Sequence, residues 1–280
     1  QHYGASLTAL QRTAGIHSAA RVQNRGRNKL RRVFYYQLDT FLYKCKRVYT
    51  YRIKFIYLMK TLSIISQKGG VGKTTLATAL AVAAEAEGCN AAVFDLDPQA
   101  SATFWHDTRE SDRPAVATAP PARLSHLLKA ARESACDLAI IDAPPFAKDI
   151  AYEAASYADF VLVPTKPAVL DVMATTKTLE LVRHYNKASA IVLTFCPPAG
   201  REIEDTITAV NQLGAVLCPV RIGNRIAYAR AQQSGQVAQE IEPQGKAAHE
   251  ISELYRYTHK HLHGGDYGTD EEAQFTASGS

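Results

Sequence analysis

Short apolar runs alternate with longer segments of helical periodicity along most of this chain. The runs are rich in β-branched residues and often end in Asp or Pro, which is typical of buried strands. The segments between them carry Leu, Ile or Ala at three- and four-residue spacing, which indicates helices packed on a sheet. Apolar strands that alternate with helices predict a doubly wound α/β fold, with a mostly parallel sheet covered on both faces.

The boundaries of these elements follow from the same pattern. It predicts strands at 62–65, 91–97, 137–142, 160–164, 190–195 and 215–220. It predicts helices at 75–88, 124–135, 151–157, 169–185, 203–213, 226–233 and 247–262. The polar, proline-containing residues 107–121 are expected to form a loop. We therefore expect one domain over 59–263 and a disordered acidic, glycine-rich tail over 264–280.

The stretch QKGGVGKTT, at 67–75, follows the first predicted strand and is a candidate phosphate-binding loop. Side chains at Gly69, Gly70 and Gly72 would keep backbone N–H groups from converging on an anion. The predicted helix adds its own unpaired N–H groups. Lys73 can place a charge on terminal phosphates, and the Thr74 hydroxyl can ligate magnesium. An ordinary tight turn is the alternative, but the flanking strand and helix favour phosphate binding.

Three aspartates, Asp95, Asp97 and Asp142, fall at the ends of predicted strands. Ligands of open parallel sheets lie beyond the carboxyl ends of the strands. An aspartate that closes an apolar strand, as in LAIID at 138–142, holds magnesium through a water when a phosphate-binding loop precedes it. Strand-ending aspartates also cap helices or form turns, as DLDP at 95–98 could do.

The segment KGGVGKTT at 68–75 resembles the deviant Walker A box of the ParA/MinD family of ATPases, KGGxGKT[ST], at every position. Gln67 stands where the usual motif has a glycine. DLDPQ at 95–99 and DAPP at 142–145 resemble further nucleotide-site motifs of that family. The resemblance covers the whole body after Met59. It implies a P-loop ATPase that uses ATP and Mg²⁺.

The resemblance also implies roles for single residues. The nucleotide-binding residues would be Lys68, Gly69, Gly70, Val71, Gly72, Lys73, Thr74, Thr75 and Pro219. The metal ligands would be Thr74, Asp95 and Asp142, and the catalytic residues would be Lys68, Lys73 and Asp97. Asp97 would orient the attacking water. Lys68 would reach the partner's phosphates across an ATP-bridged homodimer; a solvated loop lysine is the alternative.

Basic residues return near the end of an otherwise acidic body, at Arg221, Arg225, Arg230 and Lys246. The resemblance implies that this segment contacts DNA without sequence preference. Such contacts are made to phosphates and weaken steeply with salt. A solvated helix face with surface ion pairs is the alternative.

Charge divides the chain into two unlike parts. Residues 1–58 contain 12 Lys/Arg and one acid, a balance of +11, whereas the remaining residues contain 20 Lys/Arg and 26 acids, a balance of −6. The first part is interpreted as a basic nucleic-acid arm, an organelle-targeting peptide, or upstream sequence foreign to the natural protein. Met59, directly before the first predicted strand, favours the third interpretation.

Composition narrows the function classes. Five scattered cysteines without a CxxC pair indicate a reduced, cytoplasmic chain without a disulfide framework or zinc site. No apolar run is long enough to span a membrane. The histidines at 249, 259, 261 and 263, together with Tyr255 and Tyr257, are interpreted as surface residues, because alternate positions on a helix do not face one metal.

The leading hypothesis from the resemblance is a nucleoid-associated ParA-type partition ATPase, with an ATP-dependent homodimer, non-specific DNA and a ParB-like activator as partners. A MinD-like membrane regulator is the alternative, but the acidic tail does not suit a membrane-binding helix. A positioning ATPase for another cargo is a further alternative.

Overall fold

The computed structural model of this chain describes residues 59–264. The predicted extension over 1–58, and all but the first residue of the predicted tail, lie outside these residues.

Seven strands form one sheet with the order β3-β2-β4-β1-β5-β6-β7. They are β1 (Lys60–Ile64), β2 (Ala91–Asp95), β3 (Ala115–Thr118), β4 (Leu138–Asp142), β5 (Phe160–Thr165), β6 (Ala188–Cys196) and β7 (Leu217–Gly223). Every neighbouring pair is parallel. The predicted fold class, a doubly wound parallel α/β sheet, is confirmed.

Ten α-helices accompany the sheet in the described part of the chain. They are α1 (Lys73–Ala86), α2 (Ser101–Thr108), α3 (Leu124–Glu133), α4 (Lys148–Tyr157), α5 (Val169–Ala174), α6 (Thr176–His184), α7 (Arg201–Gln212), α8 (Ile226–Gln233), α9 (Ala238–Ile241) and α10 (Lys246–His263). A short 3-10 turn at Pro121–Arg123 precedes α3.

Two apolar clusters lie on opposite faces of the sheet. Helices α1, α2 and α10 contribute to one cluster, and α3 to α7 contribute to the other. Successive strand residues alternate between the clusters; in β4, Ile140 belongs to the first and Ile141 to the second. Both faces of the strands are therefore buried, which explains why their sequences are continuously apolar.

Two expectations about local structure are wrong. Residues 107–121 are not all loop, because they contain the end of α2 and the edge strand β3. Strand β3 has four small or β-branched residues and pairs with β2 alone among the described strands, so its sequence signal is weak. The predicted helix over 169–185 is two helices that divide at Thr175, whose hydroxyl donates to the Val172 carbonyl at 2.6 Å. Such side-chain bonds compete with the helical ladder.

Strand β1 lies between β4 and β5, where the chain changes from building one side of the sheet to building the other. Ligands of doubly wound folds bind at such switch points, beyond the carboxyl ends of the strands. The glycine-rich loop leaves β1 at this end. Within residues 59–264, no helix is both long enough and apolar enough to cross a membrane.

Gly235→Ala is expected to lower the free energy of unfolding by about 2–4 kcal/mol. Gly235 has a φ of +64°, and a Cβ there would lie 2.5 Å from the Arg109 backbone nitrogen. The alanine would thus carry both left-handed backbone strain and a clash with backbone atoms. Urea unfolding of the purified variant measures the loss.

Gly214→Ala is the matched control, because Gly214 has a φ of +59° but no atom lies within 4 Å of the place that its methyl group would take. It should lose only the cost of the left-handed backbone, about 1 kcal/mol. Equal losses in the two variants would show that the contact with Arg109 is unimportant.

Candidate nucleotide site

The glycine-rich loop and the first turn of α1 create the frame of the site. Gly72 precedes α1 with a φ of +86°, and its carbonyl accepts the Leu76 N–H at 2.9 Å. A side chain is strained in this left-handed conformation, so a glycine is favoured. The buried Thr194 hydroxyl lies 2.9 Å from the Val71 carbonyl and fastens the loop to β6. Sequence analysis missed Thr194; its signal was a polar residue late in an apolar strand.

Lys73 is the buried cation of the loop. Its side chain is enclosed although the residue carries a charge, with 7% of the residue exposed, and its Nζ donates to the Lys68 carbonyl at 3.0 Å. Burial lowers the pKa of Lys73, and the negative charges of Asp142 and Asp97 oppose this effect. The structure therefore brings the predicted lysine and two of the predicted aspartates into one electrostatic environment.

Thr74 and Asp142, two of the predicted metal ligands, contact each other directly. The Thr74 hydroxyl donates to Asp142 Oδ2 at 2.6 Å. Asp142 is 1% exposed, and its Oδ1 is buried without a hydrogen-bond partner among residues 59–264. Burial raises the pKa of Asp142 to about 7; the Thr74 hydrogen bond lowers it, and Asp95 raises it further. The positive charge of Lys73 also lowers the pKa of Asp142.

These two residues suit magnesium, which prefers hard oxygen ligands and usually keeps phosphate oxygens and waters in its shell. In the described part of the chain, no group of three or more His, Cys, Asp or Glu side chains could hold a metal ion. The protein would therefore contribute few ligands, and the nucleotide would complete the shell. The unpaired Oδ1 of Asp142 is the feature that fits this arrangement.

Asp95 is fully buried, but its oxygens are already engaged. Oδ2 accepts the N–H groups of Ala102 at 2.9 Å and Thr103 at 3.1 Å, and Oδ1 accepts the N–H of Asp97 at 3.0 Å. Asp95 thus anchors the first turn of α2 and the loop before it. This is the capping alternative, and a metal role for Asp95 stays a prediction.

Asp97 is half-buried beyond the end of β2. Its Oδ1 accepts the Gln99 N–H at 2.9 Å, so it forms the turn that the alternative interpretation expects. Its charge also acts on Lys73 and on Asp142. The two interpretations are compatible, and water orientation by Asp97 stays a prediction.

Lys68 lies at the mouth of the loop, and its ammonium pairs with the carboxylate of Asp171 in α5. The side chain of Lys68 is 42% exposed, so the residue is neither buried like Lys73 nor freely solvated. Asp171 was not a predicted site residue. It follows Lys68 by 103 positions, and no sequence pattern marks it.

Exposed apolar side chains are found on segments next to the loop. Leu170 is 80% exposed and Phe146 76% exposed, and Met173 and Phe195 are also exposed. Phe195 lies next to the loop, since a Cβ on Gly72 would be 3.5 Å from its ring. Exposed apolar side chains that form a contiguous patch are typical of surfaces that bind another macromolecule.

One of the four predicted DNA-contacting residues belongs to an ion-pair network, and the other three are exposed. Arg225 does not point freely to solvent: its Nε donates to Glu250 at 2.9 Å, and the same carboxylate accepts the Tyr228 hydroxyl at 3.0 Å. This is the ion-pair alternative for one of the four residues. Arg221, Arg230 and Lys246 are exposed. Pro219 is exposed on β7, and no contact tests its predicted place near adenine.

The residues of the last helix, α10, are not all at the surface, which corrects the sequence interpretation. Tyr255 is buried, and His259 and His263 are half-buried with ring centroids 4.2 Å apart. Burial, followed by the neighbouring His259, lowers the pKa of His263 to about 4. One side of α10 packs toward the sheet. The sequence interpretation considered only alternate positions along the helix, so it did not identify this buried side.

Comparisons with known proteins identify relatives. A family model described as "CobQ/CobB/MinD/ParA nucleotide binding domain" matches residues 62–238. The Maintenance of carboxysome distribution protein A of Halothiobacillus neapolitanus is 28% identical over 208 residues, covering 69% of this chain and 94% of that protein. Protein ParA of Rhizobium radiobacter is 28% identical over 187 residues, covering 63% and 84% respectively.

A solved structure shares the fold. The crystal structure of the Pyrococcus furiosus cell division ATPase MinD superposes with a TM-score of 0.61 at 21% identity, covering 72% of this chain and 99% of that one.

Proposed function

From the premise that the chain belongs to the CobQ/CobB/MinD/ParA nucleotide-binding family, we propose that it is a ParA-type partition ATPase. It is an ATPase that uses ATP and Mg²⁺. Its ATP-bound form is a homodimer that binds DNA without sequence preference. A ParB-like partner stimulates hydrolysis and so releases the dimer from DNA.

The residues of the loop divide the chemistry between them. Lys73 binds the terminal phosphates from its enclosed position, and the N–H groups at the start of α1 add to this field. Thr74 and Asp142 would hold the magnesium ion, which when bound neutralises charge on the phosphates. Asp97, near Lys73 and Asp142, orients the water that attacks the γ-phosphate.

The observation that carries the homodimer is the position of Lys68. The side chain of this second lysine is half-exposed, and its ammonium pairs with Asp171. Exposed Leu170 and Met173 flank Asp171 on α5. This position supports a homodimer in which Lys68 supplies the extra charge that phosphoryl transfer needs at the phosphates of the second subunit.

A second candidate function is the positioning of a cargo other than DNA. The observation that favours it is the relative from Halothiobacillus neapolitanus, whose name refers to the distribution of carboxysomes. It is as similar in identity as the ParA protein of Rhizobium radiobacter, so similarity alone does not choose between the two cargoes.

A membrane-associated regulator fits the described residues less well. An interfacial helix needs an apolar face that is free to enter lipid. In α10, the apolar residues Ile251 and Leu254 are fully buried against the sheet. The side of α10 that carries these residues is therefore not available to enter lipid.

DNA co-sedimentation with ATP, ADP or no nucleotide, at two salt concentrations, tests the proposal. ATP-dependent, salt-sensitive binding that is indifferent to sequence supports partition. Binding to anionic lipid vesicles instead would favour the membrane regulator. Nucleotide-dependent dimerisation without binding to either would favour a different cargo.

Combined replacement of the exposed Arg221, Arg230 and Lys246 by alanine is expected to weaken DNA binding and to flatten its salt dependence. Each lost phosphate contact should lower the slope of log affinity against log salt by about one. A titration of labelled duplex with the ATP-bound protein at several salt concentrations measures the slope.

Arg225→Ala is a poor test of DNA contact, because it would leave the Glu250 carboxylate without its cationic partner. The matched control is Lys177→Ala on α6, an exposed lysine outside the basic segment. If the triple variant and the control share the wild-type slope, these three residues do not contact DNA.

A further inference from the structure

Asp171 is the ion-pair partner of the Lys68 side chain. It lies in the first turn of α5, is 18% exposed at its side chain, and accepts the Lys68 ammonium. Within residues 59–264, this is the one salt bridge that Lys68 forms. The pair joins the glycine-rich loop to α5, two segments that are distant in sequence.

The backbone of Lys68 is held independently of its side chain. Its carbonyl accepts a hydrogen bond from Lys73 Nζ at 3.0 Å, and its N–H lies 3.4 Å from Ser66 Oγ. The loop therefore fixes where the side chain begins, and Asp171 fixes where it ends. Release of the ammonium from Asp171 therefore does not require either of these backbone contacts to break.

We propose that Asp171 is a positioning residue for the ATPase reaction: in the single chain it retains the Lys68 ammonium, and the ammonium must leave Asp171 before it can act on phosphates. This inference rests on the proposed homodimer for its second half. The cost of breaking the ion pair then makes dimerisation harder and keeps the single chain in its resting arrangement.

The surroundings of Asp171 connect release of the ammonium to assembly. Leu170 and Met173 on the same short helix are exposed, so a second subunit that covers them also covers the ion pair. Covering removes solvent from the ammonium and the carboxylate and exposes them to the phosphate charge of the partner. The phosphates then compete with Asp171 for the same ammonium.

Chemical labelling tests the resting contact without any nucleotide. Wild type, Asp171→Asn and Asp171→Glu are treated briefly with an amine-acylating reagent, and labelling of Lys68 is measured by peptide mass spectrometry relative to the exposed Lys177. Loss of a partly exposed ion pair should raise Lys68 labelling by about two- to fivefold in Asp171→Asn. Asp171→Glu, which keeps the charge, should stay near the wild type.

Glu180→Gln on α6 is the matched control, because it removes one exposed negative charge that forms no salt bridge with Lys68 within residues 59–264. Its labelling should equal that of the wild type. Unchanged labelling of Lys68 in Asp171→Asn would overturn the positioning role. Thermal melting of each variant identifies any change that comes from a weakened fold.

Sedimentation with a non-hydrolysable ATP analogue tests the second half. Asp171→Asn should dimerise at about two- to fivefold lower protein concentration than the wild type, while its nucleotide affinity as a single chain is unchanged. Raised labelling with an unchanged dimerisation midpoint would overturn the proposed cost. A wild-type chain that stays single contradicts the homodimer instead, and labelling alone then decides whether Asp171 positions Lys68.

Discussion

Lys73→Ala is expected to weaken ATP binding by on the order of 100-fold, whereas Lys68→Ala should keep the affinity within about threefold and lose dimerisation and hydrolysis. The two lysines are five residues apart but have different surroundings. Lys73 is enclosed by the loop beside Asp142, so its loss removes a buried charge from the phosphate site. Lys68 is half-exposed and directed at Asp171, so its loss should spare binding by the single chain.

Fluorescent-nucleotide titration, phosphate release and sedimentation with ATP separate the two variants. Hydrolysis by Lys68→Ala should fall by on the order of 1,000-fold, the size of the effect of a cationic residue supplied in trans. Lys177→Ala removes an exposed lysine elsewhere and should behave as the wild type in all three measurements. Normal ATP-dependent dimers of Lys68→Ala would contradict the role of this lysine across the interface.

The loop and most of the sheet could be predicted because their signals are local. Gly72 adopts a left-handed backbone conformation, which favours glycine in any surroundings. The β-branched run before it forms a buried strand. Six of the seven strands were expected within a few residues of where they lie. Strand β3 was missed because four small residues with one neighbour carry little apolar pattern.

The parts of the site that could not be predicted depend on contacts between distant segments. Asp95 and Asp142 both close an apolar strand and had the same sequence signal. The oxygens of Asp95 accept N–H groups of α2. Asp142 instead accepts the Thr74 hydroxyl through one oxygen, and its other oxygen is unpaired within residues 59–264. Arg225 could not be separated from Arg221 until Glu250 of α10 was placed beside it. Lys68 and Asp171 meet only because α5 follows β5 next to the loop.

The stability of nucleotide-free Asp142→Asn, measured as its difference in unfolding free energy from the wild type at the same pH, is expected to be more favourable at pH 8 than at pH 5. Burial raises the pKa of Asp142 from 3.8 to about 7. Its contribution to stability is therefore fully present below pH 3.8 and is lost as the pH rises through 7. Asparagine does not titrate, so the relative stability of the variant should increase by about 2–3 kcal/mol between pH 5 and pH 8.

Urea unfolding at the two pH values, without nucleotide or divalent cation, measures this change. Asp95→Asn is the matched control, because Asp95 is also fully buried but accepts backbone N–H groups through both oxygens. An amide nitrogen in place of one oxygen would face an N–H donor, so this variant should be destabilised at both pH 5 and pH 8. Parallel curves for the wild type and Asp142→Asn would show that Asp142 titrates normally in the free fold.

Addition of ATP and magnesium should stabilise the wild type more than Asp142→Asn. The wild type gains stability from ligand that binds the folded state, while Asp142→Asn lacks the carboxylate that would hold the cation and gains much less. Its hydrolysis should fall by on the order of 100-fold, since the charge on the phosphates is then less well neutralised. A buried carboxylate that weakens the nucleotide-free fold and strengthens the nucleotide-bound one is explained by ligand binding, because packing alone would favour the asparagine under both conditions.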